Sequence, residues 1–424
     1  MNLDRNIAPP LLAPEKINIQ EPEIQHLAGD IPVILINEGT QDVMKVELVF
    51  AAGNISGNIP LIPAATSELL DEGSAQHSSA EIAEALDYYG AYLQTECGND
   101  HASVTLYTLS KFLDQTLPYL TEILMTPTFP EEEIATFKIQ GQQKLAVSME
   151  KVDYLARRYF IQALYGNDHP YGHFQEEKDY DLITTSALKN FHESFYLNGL
   201  LGIVVSGKFT TPEAQKVISE LGKCGFTKSS VQVNLQGLPE GKGRKLVPKK
   251  DAVQSAIRIG RRLFNRSHPD YFTFSILNTV LGGYFGSRLM SNIREDKGYT
   301  YGIGSGIAPQ ISDGYFFIST EVGTSVREDA VREIYTEIRK LREELISEEE
   351  LDLVKKYLYG SFQRSIDGPF SLAERHKTLL INNLNTKHLY LYLETLNKIT
   401  PDELRQCAHQ YLCEVDLFEL IIGG

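Results

Sequence analysis

Short runs of aliphatic and β-branched residues alternate along the chain with longer segments that carry apolar residues at helical spacing. In the first half, residues 33–36 and 46–50 predict strands, and residues 91–95 with 102–108 predict a further pair. Ser79 is a candidate N-cap for a helix that stops at Gly90. Helical patterns cover residues 62–70, 79–90, 112–125 and 131–152.

The second half repeats this kind of pattern after a polar segment. Residues 227–250 contain the run QGLPEGKGRK and predict an interdomain linker. Beyond it, residues 253–259 and 315–322 predict strands. The clearest amphipathic helix of the chain is predicted at residues 328–345, and a shorter helix is predicted at residues 269–281.

The two halves also share a short sequence match. EEEI begins at Glu131, and EEEL begins at Glu348, 217 positions later and in the same context of strands and helices. A four-letter match is weak by itself, but the matched order of elements strengthens it. We therefore predict an α+β fold of two similar domains, residues 1–226 and 251–424, each an antiparallel-rich sheet covered by helices.

Composition excludes several classes of protein. The net charge of -16 argues against a nucleic-acid partner or an anionic membrane surface. The four cysteines form no CxxC pair, so no zinc ribbon or redox motif is predicted. The N-terminal residues lack the basic start and apolar core of a signal peptide, and no apolar run approaches the roughly 20 residues of a membrane span. A cytoplasmic location is therefore expected.

One stretch carries the candidate chemistry. Residues 281–302 read LGGYFGSRLMSNIREDKGYTYG and predict a glycine turn, a short helix, a second turn and a strand. Arg294 and Tyr301 lie seven residues apart across the second turn. A planar guanidinium and a phenol could both bond a carbonyl oxygen or an oxyanion of a bound chain. The competing interpretation is a solvated arginine and a half-buried strand tyrosine.

The same stretch resembles the C-terminal half of the pitrilysin-like (insulinase) zinc metallopeptidases, which include mitochondrial processing peptidase. The shared features are the glycine-rich turn, SRL, the segment I-R-E-x-x-G and a tyrosine seven residues after the arginine. In that family the arginine and tyrosine bind the substrate and help to polarise the scissile carbonyl. The resemblance therefore implies substrate-binding roles for Arg294 and Tyr301, and it extends more weakly over nearly the whole chain.

The zinc motif of that family is missing. In H-x-x-E-H, two histidines one helical turn apart bind the metal and the glutamate is the general base. None of the ten histidines of this chain makes the motif. The resemblance aligns PAATSELLDEGS with the zinc helix, which places Ala64 and Glu68 at the histidine positions and Ser67 at the general-base position. Alanine cannot bind a metal, and serine lacks the basicity of a carboxylate.

The position of the distant zinc ligand is also altered. QKLAVSME resembles the segment that carries this ligand and puts Glu150 at the ligand position, with Gln143 where the family often has a second glutamate. One or two carboxylates without imidazole do not make a tight zinc site. We predict no metal on this chain. His169 and His173, in HPYGH, are better interpreted as part of a family loop, because Pro170 and Gly172 break the helix that would bring both rings together.

The family contains subunit pairs in which one chain carries zinc and its partner supplies the arginine and tyrosine. The resemblance implies a chain of the second kind: a non-catalytic, substrate-binding subunit of a heterodimeric zinc peptidase, inactive alone, with zinc on the homologous partner. A peptide is then the expected substrate. The alternative is a scaffold or interaction protein with the peptidase fold and no role in hydrolysis. An autonomous hydrolase ranks last, because the sequence has no G-x-S-x-G elbow and no convincing Cys/His arrangement.

Overall fold

A computed structural model describes residues 17–57, 59–228, 235–239 and 241–424. The first half forms a six-stranded sheet in the order β1-β2-β6-β3-β5-β4. Its strands are β1 (Glu23–Leu27), β2 (Ile31–Asn37), β3 (Val43–Phe50), β4 (Tyr92–Cys97), β5 (Ala102–Leu109) and β6 (Leu200–Gly207). Strands β2 and β6 run parallel, and the other neighbours are antiparallel.

The helices of the first half pack on one face of this sheet. Ile31, Val33 and Leu35 of β2 face a core that these helices close. The helices are α1 (Ile62–Glu68), α2 (Ser79–Tyr89), α3 (Leu113–Met125), α4 (Glu131–Met149), α5 (Val152–Tyr165), α6 (Thr185–His192) and α7 (Thr211–Lys223). The exception is α5, which packs on strands of the second half.

The second half forms a five-stranded sheet in the order β7-β11-β8-β10-β9. Its strands are β7 (Gly243–Pro248), β8 (Gln254–Leu263), β9 (Ile303–Pro309), β10 (Gly314–Gly323) and β11 (Phe418–Gly423). Only β7 and β11 run parallel. The helices are α8 (Tyr271–Asn278), α9 (Arg327–Glu343), α10 (Glu348–Arg364), α11 (Pro369–Ile381), α12 (Lys387–Lys398) and α13 (Pro401–Tyr411).

The two halves are copies of one plan, as predicted. Sheet order β2-β6-β3-β5-β4 in the first half corresponds strand for strand to β7-β11-β8-β10-β9 in the second, including the single parallel pair. The helix pair α4 and α5 begins at Glu131 and Val152, and the pair α10 and α11 begins at Glu348 and Pro369. Both starts are thus separated by the 217 positions that the sequence match gave. The α+β fold of two similar domains is confirmed.

The halves exchange one helix each. Helix α5 covers the face of the second sheet that carries Leu420 and Ile422 of β11. Helix α11 covers the corresponding face of the first sheet, and its Leu372 belongs to the same core as Ile34 and Ile36 of β2. A β-carbon on Gly202 of β6 would lie 2.7 Å from a methyl of Leu380, so a glycine is needed for this close approach. Each sheet is therefore completed by a helix of the other half.

Charged side chains reinforce the contact of α11 with the first sheet. Lys45 and Glu47 of β3 are each 2% exposed, and their side chains are 2.8 Å apart. Lys377 of α11 approaches Glu47 to 2.6 Å, and Glu374 of α11 approaches Lys45 to 2.7 Å. Burial alone would lower the pKa of Lys45, yet Glu47 and Glu374 raise it above its ordinary value. The four residues form a closed ring of alternating charge that joins the two halves.

Three local predictions differ from the structure. The helix predicted at residues 131–152 is two helices, because Lys151 is extended (φ -89°, ψ 128°) and starts α5 in a new direction. The N-cap of α2 is Ser78, not Ser79, since the Ser78 side chain accepts a hydrogen bond from the Glu81 backbone. Part of the segment predicted as a linker, Gly243–Pro248, is strand β7. Residues 229–234 and 240 of that segment lie outside the described residues.

Candidate functional site

Arg294 lies on a short π-helical segment, Met290–Asp296, which precedes the edge strand β9. The Asn292 side chain fixes this segment by donating to Glu337 at 2.8 Å. Arg288, just before it, makes a two-pronged ion pair with Glu350 at 2.8 and 2.7 Å. Isolated π-helical turns occur often at functional sites. These contacts of Asn292 and Arg288 fix the segment that carries Arg294.

The guanidinium of Arg294 stacks on an aromatic ring. Its carbon lies 4.8 Å from the centroid of the Phe285 ring, and Phe285 itself is 63% exposed. Arg294 forms no hydrogen bond or ion pair with any residue that the structure describes. Stacking holds the guanidinium plane but leaves its N–H groups unused. Arg294 is therefore oriented and free to bind an acceptor.

Tyr301 is the most exposed large side chain near Arg294, at 94%. The backbone around it is fixed although its ring is not: Thr300 donates to the Glu321 carbonyl at 2.7 Å and accepts from the Gly302 N–H at 3.1 Å. Tyr301 was predicted to lie on a strand, but β9 begins at Ile303. The prediction was wrong because Gly298 takes a positive φ of 66°, and the chain then needs several residues to return to the sheet.

The positions of the family's zinc helix bear no ligand set. Ala64 of α1 has no donor atom, and Ser67 points inward beside buried Tyr196, with 1% of its surface exposed. Glu68 is exposed on the same short helix and lies near Tyr180. Ala64 and Glu68 lie one turn apart on the less buried side of the helix and Ser67 is buried, so Glu68 is the only carboxylate that these three positions offer.

Glu150 does not complete such a site. It lies at the end of α4, is 81% exposed, and pairs with Lys249 of the second half at 3.0 Å. Among the residues described, no group of three or more His, Cys, Asp or Glu side chains could hold a metal ion. A zinc ion therefore does not fit the residues present here.

A cavity of about 970 Å³ occupies the space beside Ala64. Helix α5 and the loop at residues 167–178 form its walls, and Tyr315 of β10 reaches it from the second half. Arg157 of α5 lines this cavity and makes no ion pair or hydrogen bond within the described part of the chain. The cavity is thus polar and open, with one unpaired cation.

HPYGH is a structural loop on the far wall of this cavity. His169 Nδ1 accepts from the Tyr171 N–H at 3.1 Å, and His173 Nε2 lies 3.2 Å from Asp179. The Tyr171 hydroxyl donates to Asp100, whose other oxygen accepts the Ile311 N–H at 3.1 Å. The loop therefore ties the two halves together.

Sequence reasoning did not single out two residues that the structure draws attention to, Phe285 and Arg157. Phe285, which supports Arg294, carried a signal that was available: an aromatic residue between Gly283 and Gly286 in a turn has little chance of burial. Arg157 carried no such signal, because its exposure to the cavity depends on how α5 crosses to the other half.

The fold is that of a peptidase-type protein, and comparison with known proteins agrees. Residues 183–358 match the family described as "Peptidase M16 inactive domain". The chain is 24% identical over 332 residues to "Uncharacterized zinc protease YmxG" of Bacillus subtilis, covering 75% of this chain and 80% of that protein. It is 25% identical over 371 residues to "Non-peptidase homolog YmxG" of Helicobacter pylori, covering 83% and 79%.

A solved structure gives the same result for the fold. The peptidase M16 inactive domain from Pseudomonas fluorescens superimposes with a TM-score of 0.86 at 24% identity, over 96% of this chain and 98% of that one. The predicted resemblance to the pitrilysin-like (M16) peptidases is therefore confirmed: residues 183–358 match the inactive domain of that family, and the fold of the chain is that of the solved relative.

The two remaining expectations concern a membrane span and the cellular location. None of the helices in the described ranges combines the length and hydrophobicity that a membrane span requires. The cytoplasmic location stays a prediction from the sequence.

Proposed function

We propose that this chain is a non-catalytic, substrate-binding subunit that works with a homologous zinc-bearing peptidase subunit. In this proposal Arg294 and Tyr301 bind the peptide that the partner cleaves, and the zinc belongs to the partner. The observation that carries the proposal is an Arg294 with no hydrogen-bond partner among the described residues, together with a Tyr301 that is 94% exposed, on a chain with alanine and serine at two of the three zinc-helix positions.

The exposure of Tyr301, and the lack of a hydrogen-bond partner for half-buried Arg294 among the described residues, support a role outside this chain. A guanidinium and a phenol without protein partners can bond water at no cost in free energy. Folding needs neither group at these positions. Phe285 adds exposed apolar surface at the same place, and exposed aromatic and arginine side chains are typical of binding surfaces. Arg294 and Phe285 lie together, and with Tyr301 they would suit a peptide backbone and one apolar side chain.

The chemistry available is hydrogen bonding to a developing negative charge. When water adds to a peptide bond, the carbonyl oxygen gains charge, and donors that are already in place stabilise it. Arg294 can offer two parallel N–H groups, and the Tyr301 hydroxyl can offer one donor. Because Arg294 is stacked and the segment beneath it is pinned by Arg288 and Asn292, little reorganisation is required.

The experiment is reconstitution with a homologous subunit that carries H-x-x-E-H. We expect neither chain of the pair to cleave an unstructured peptide efficiently alone, and the mixture to cleave it. Tyr301→Phe removes one hydroxyl and keeps the ring, and Arg294→Ala removes the guanidinium. Loss of one oxyanion donor typically lowers kcat on the order of 100- to 1000-fold. Arg294→Lys should also be poor, because lysine cannot make the two-pronged bond.

Matched variants control for surface changes of the same kind. Tyr88→Phe removes a hydroxyl from another tyrosine with 82% exposure, and Arg364→Ala removes another exposed guanidinium. Both should leave kcat and Tm unchanged. If Arg294→Ala and Tyr301→Phe keep near-normal turnover in the reconstituted pair, the substrate-binding role is wrong, and the scaffold alternative replaces it.

A further inference from the structure

A small pocket in the second half gathers positive charge without a counter-charge. It has a volume of about 180 Å³ and lies among helices α8, α10, α11 and α12. Arg266, Arg375 and His388 line it together with the hydroxyls of Ser275 and Ser361. No aspartate or glutamate is among the described residues that line it. In a chain of net charge -16, such a pocket is unexpected.

The two guanidiniums are held in place by neutral groups. Arg266 donates to the Tyr271 hydroxyl at 2.9 Å, and Arg375 Nε donates to Ser365 Oγ at 2.9 Å. Arg375 also lies over the Phe362 ring, with its guanidinium carbon 5.9 Å from the centroid. These contacts orient the guanidiniums and neutralise neither, so the terminal N–H groups of Arg375 stay available.

The nearest carboxylates in the sequence are used elsewhere. Asp270 accepts a hydrogen bond from the Tyr411 hydroxyl at 2.6 Å. Glu374 turns toward the first sheet, where it pairs with Lys45 and Lys377 at 2.7 Å each. Neither residue lines the pocket. The hydroxyls of Ser275 and Ser361 have no hydrogen-bond partner in the described ranges, which leaves both as free donors.

The other half of the chain supplies an internal comparison. Arg158 of α5 lies 217 positions before Arg375, so the two occupy equivalent places in the duplicated helices. Arg158 has acceptors within the chain: it donates to the Gln175 carbonyl at 3.3 Å and pairs with Glu176 at 3.7 Å, although its Nε is unpartnered. Arg375 has a serine hydroxyl where its counterpart has a carbonyl and a carboxylate. The missing acceptor is therefore particular to the second half.

Electrostatics agree with this description. Burial lowers the pKa of Arg375, and the neighbouring Arg266 lowers it further. Burial likewise lowers the pKa of His388, again with a contribution from Arg266. No carboxylate offsets the shift at Arg375, whereas buried charges in proteins are usually paired. An anion in the pocket would remove the repulsion between the two guanidiniums.

We propose that this pocket, between Arg266 and Arg375, binds a small oxyanion of the phosphate class. Two guanidiniums match the double negative charge of phosphate, and the Ser275 and Ser361 hydroxyls match its additional oxygens. A carboxylate has one charge and two oxygens, so it would leave donors unused. Phe272 and Tyr392 line the same pocket and offer stacking surface for an organic group that carries the phosphate.

The test is binding of inorganic phosphate to the full chain, measured by calorimetry and by thermal unfolding at constant ionic strength. At phosphate concentrations about 100-fold above Kd, we expect a rise in Tm of roughly 2–4 °C relative to chloride. Glycerol phosphate forms the second arm. Tighter binding of the ester than of inorganic phosphate identifies a phosphorylated small molecule as the ligand, and equal binding identifies free phosphate.

Variants separate the pocket from general charge effects. Arg375→Gln and Arg266→Gln should each abolish the phosphate-dependent shift, whereas Arg364→Gln removes an exposed guanidinium of α10 and should retain it. Ser361→Ala keeps both charges and should weaken binding several-fold, so it serves if an arginine variant does not fold. The proposal is overturned if the native chain shows no phosphate-specific rise in Tm. It is also overturned if Ser361→Ala and a folded Arg375→Gln both show the same rise in Tm as the native chain. The outcome is independent of peptide cleavage.

Discussion

The buried ring of charge between β3 and α11 makes a sharp test of how the halves are held together. Glu47 lies between two ammonium groups, Lys45 at 2.8 Å and Lys377 at 2.6 Å, and is 2% exposed. Glu47→Gln keeps the shape and one hydrogen-bond acceptor but removes the charge. Lys45 and Lys377 then share only Glu374, which is 52% exposed.

The expected cost follows from these distances. At an effective dielectric constant of about 20, each ion contact at this separation is worth about 6 kcal/mol, and the cost of removing the charges from water offsets much of that sum. Breaking a buried pair by removing one partner typically costs about 3–5 kcal/mol, because the remaining charge stays buried. We expect Glu47→Gln to lower the free energy of unfolding by that amount.

The assay is equilibrium unfolding in urea, read by circular dichroism and checked by hydrogen exchange. Protection should fall first in α11 and in the strands β2 and β6 beneath it. Asp352→Asn is the control, because it removes an exposed i,i+4 pair with Lys356 on α10 and should leave the midpoint unchanged. A loss below about 1 kcal/mol for Glu47→Gln would refute the view that this ring holds the halves together.

Two further predictions concern single residues. Gly172→Ala should destabilise the protein by about 1–3 kcal/mol, because a β-carbon there would lie 1.9 Å from the Gly166 carbonyl oxygen. Gly360→Ala on α10 meets open space and should stabilise the protein by roughly 0.5–1 kcal/mol. The midpoint of urea unfolding measures both effects. Burial lowers the pKa of His192 below its ordinary value of 6.5, so the unfolded chain takes up a proton before the native chain does. The contribution of His192 to stability should therefore be fully present above pH 6.5 and fall as the pH drops below it, by at most about 1.4 kcal/mol per pH unit. His192→Gln should flatten this dependence of the free energy of unfolding on pH. His409→Gln, which changes an exposed histidine, should leave the dependence unchanged.

Much of the architecture was open to prediction because it depends on local pattern. Apolar spacing located most strands and helices, and the EEEI and EEEL runs beginning at Glu131 and Glu348 revealed the duplication. The missing zinc ligands at Ala64 and Ser67 needed only the resemblance and the residue types. Arg294 could be singled out for the same reason. Its substrate-binding role, with that of Tyr301, stays a prediction.

The rest depends on contacts between residues far apart in the sequence. Periodicity runs on through Glu150 and Lys151, so it could not locate the turn that sends α5 to the other half. The pocket at Arg375 was also beyond prediction. Whether an arginine has a counter-charge depends on where Glu374 points, and that is set by Lys45, more than 300 positions earlier.

The exchanged helices have a consequence for the order in which the chain can fold during synthesis. The ribosome completes the first sheet at Gly207, but the helix that covers one face of it, α11, ends at Ile381. At about 5–20 residues per second, the intervening stretch takes on the order of 10 to 30 seconds to make. Throughout that interval Ile34, Ile36 and Val204 of the nascent chain lack the helix that covers them in the folded protein. The first half can therefore complete its packing only after helix α11 has been synthesised.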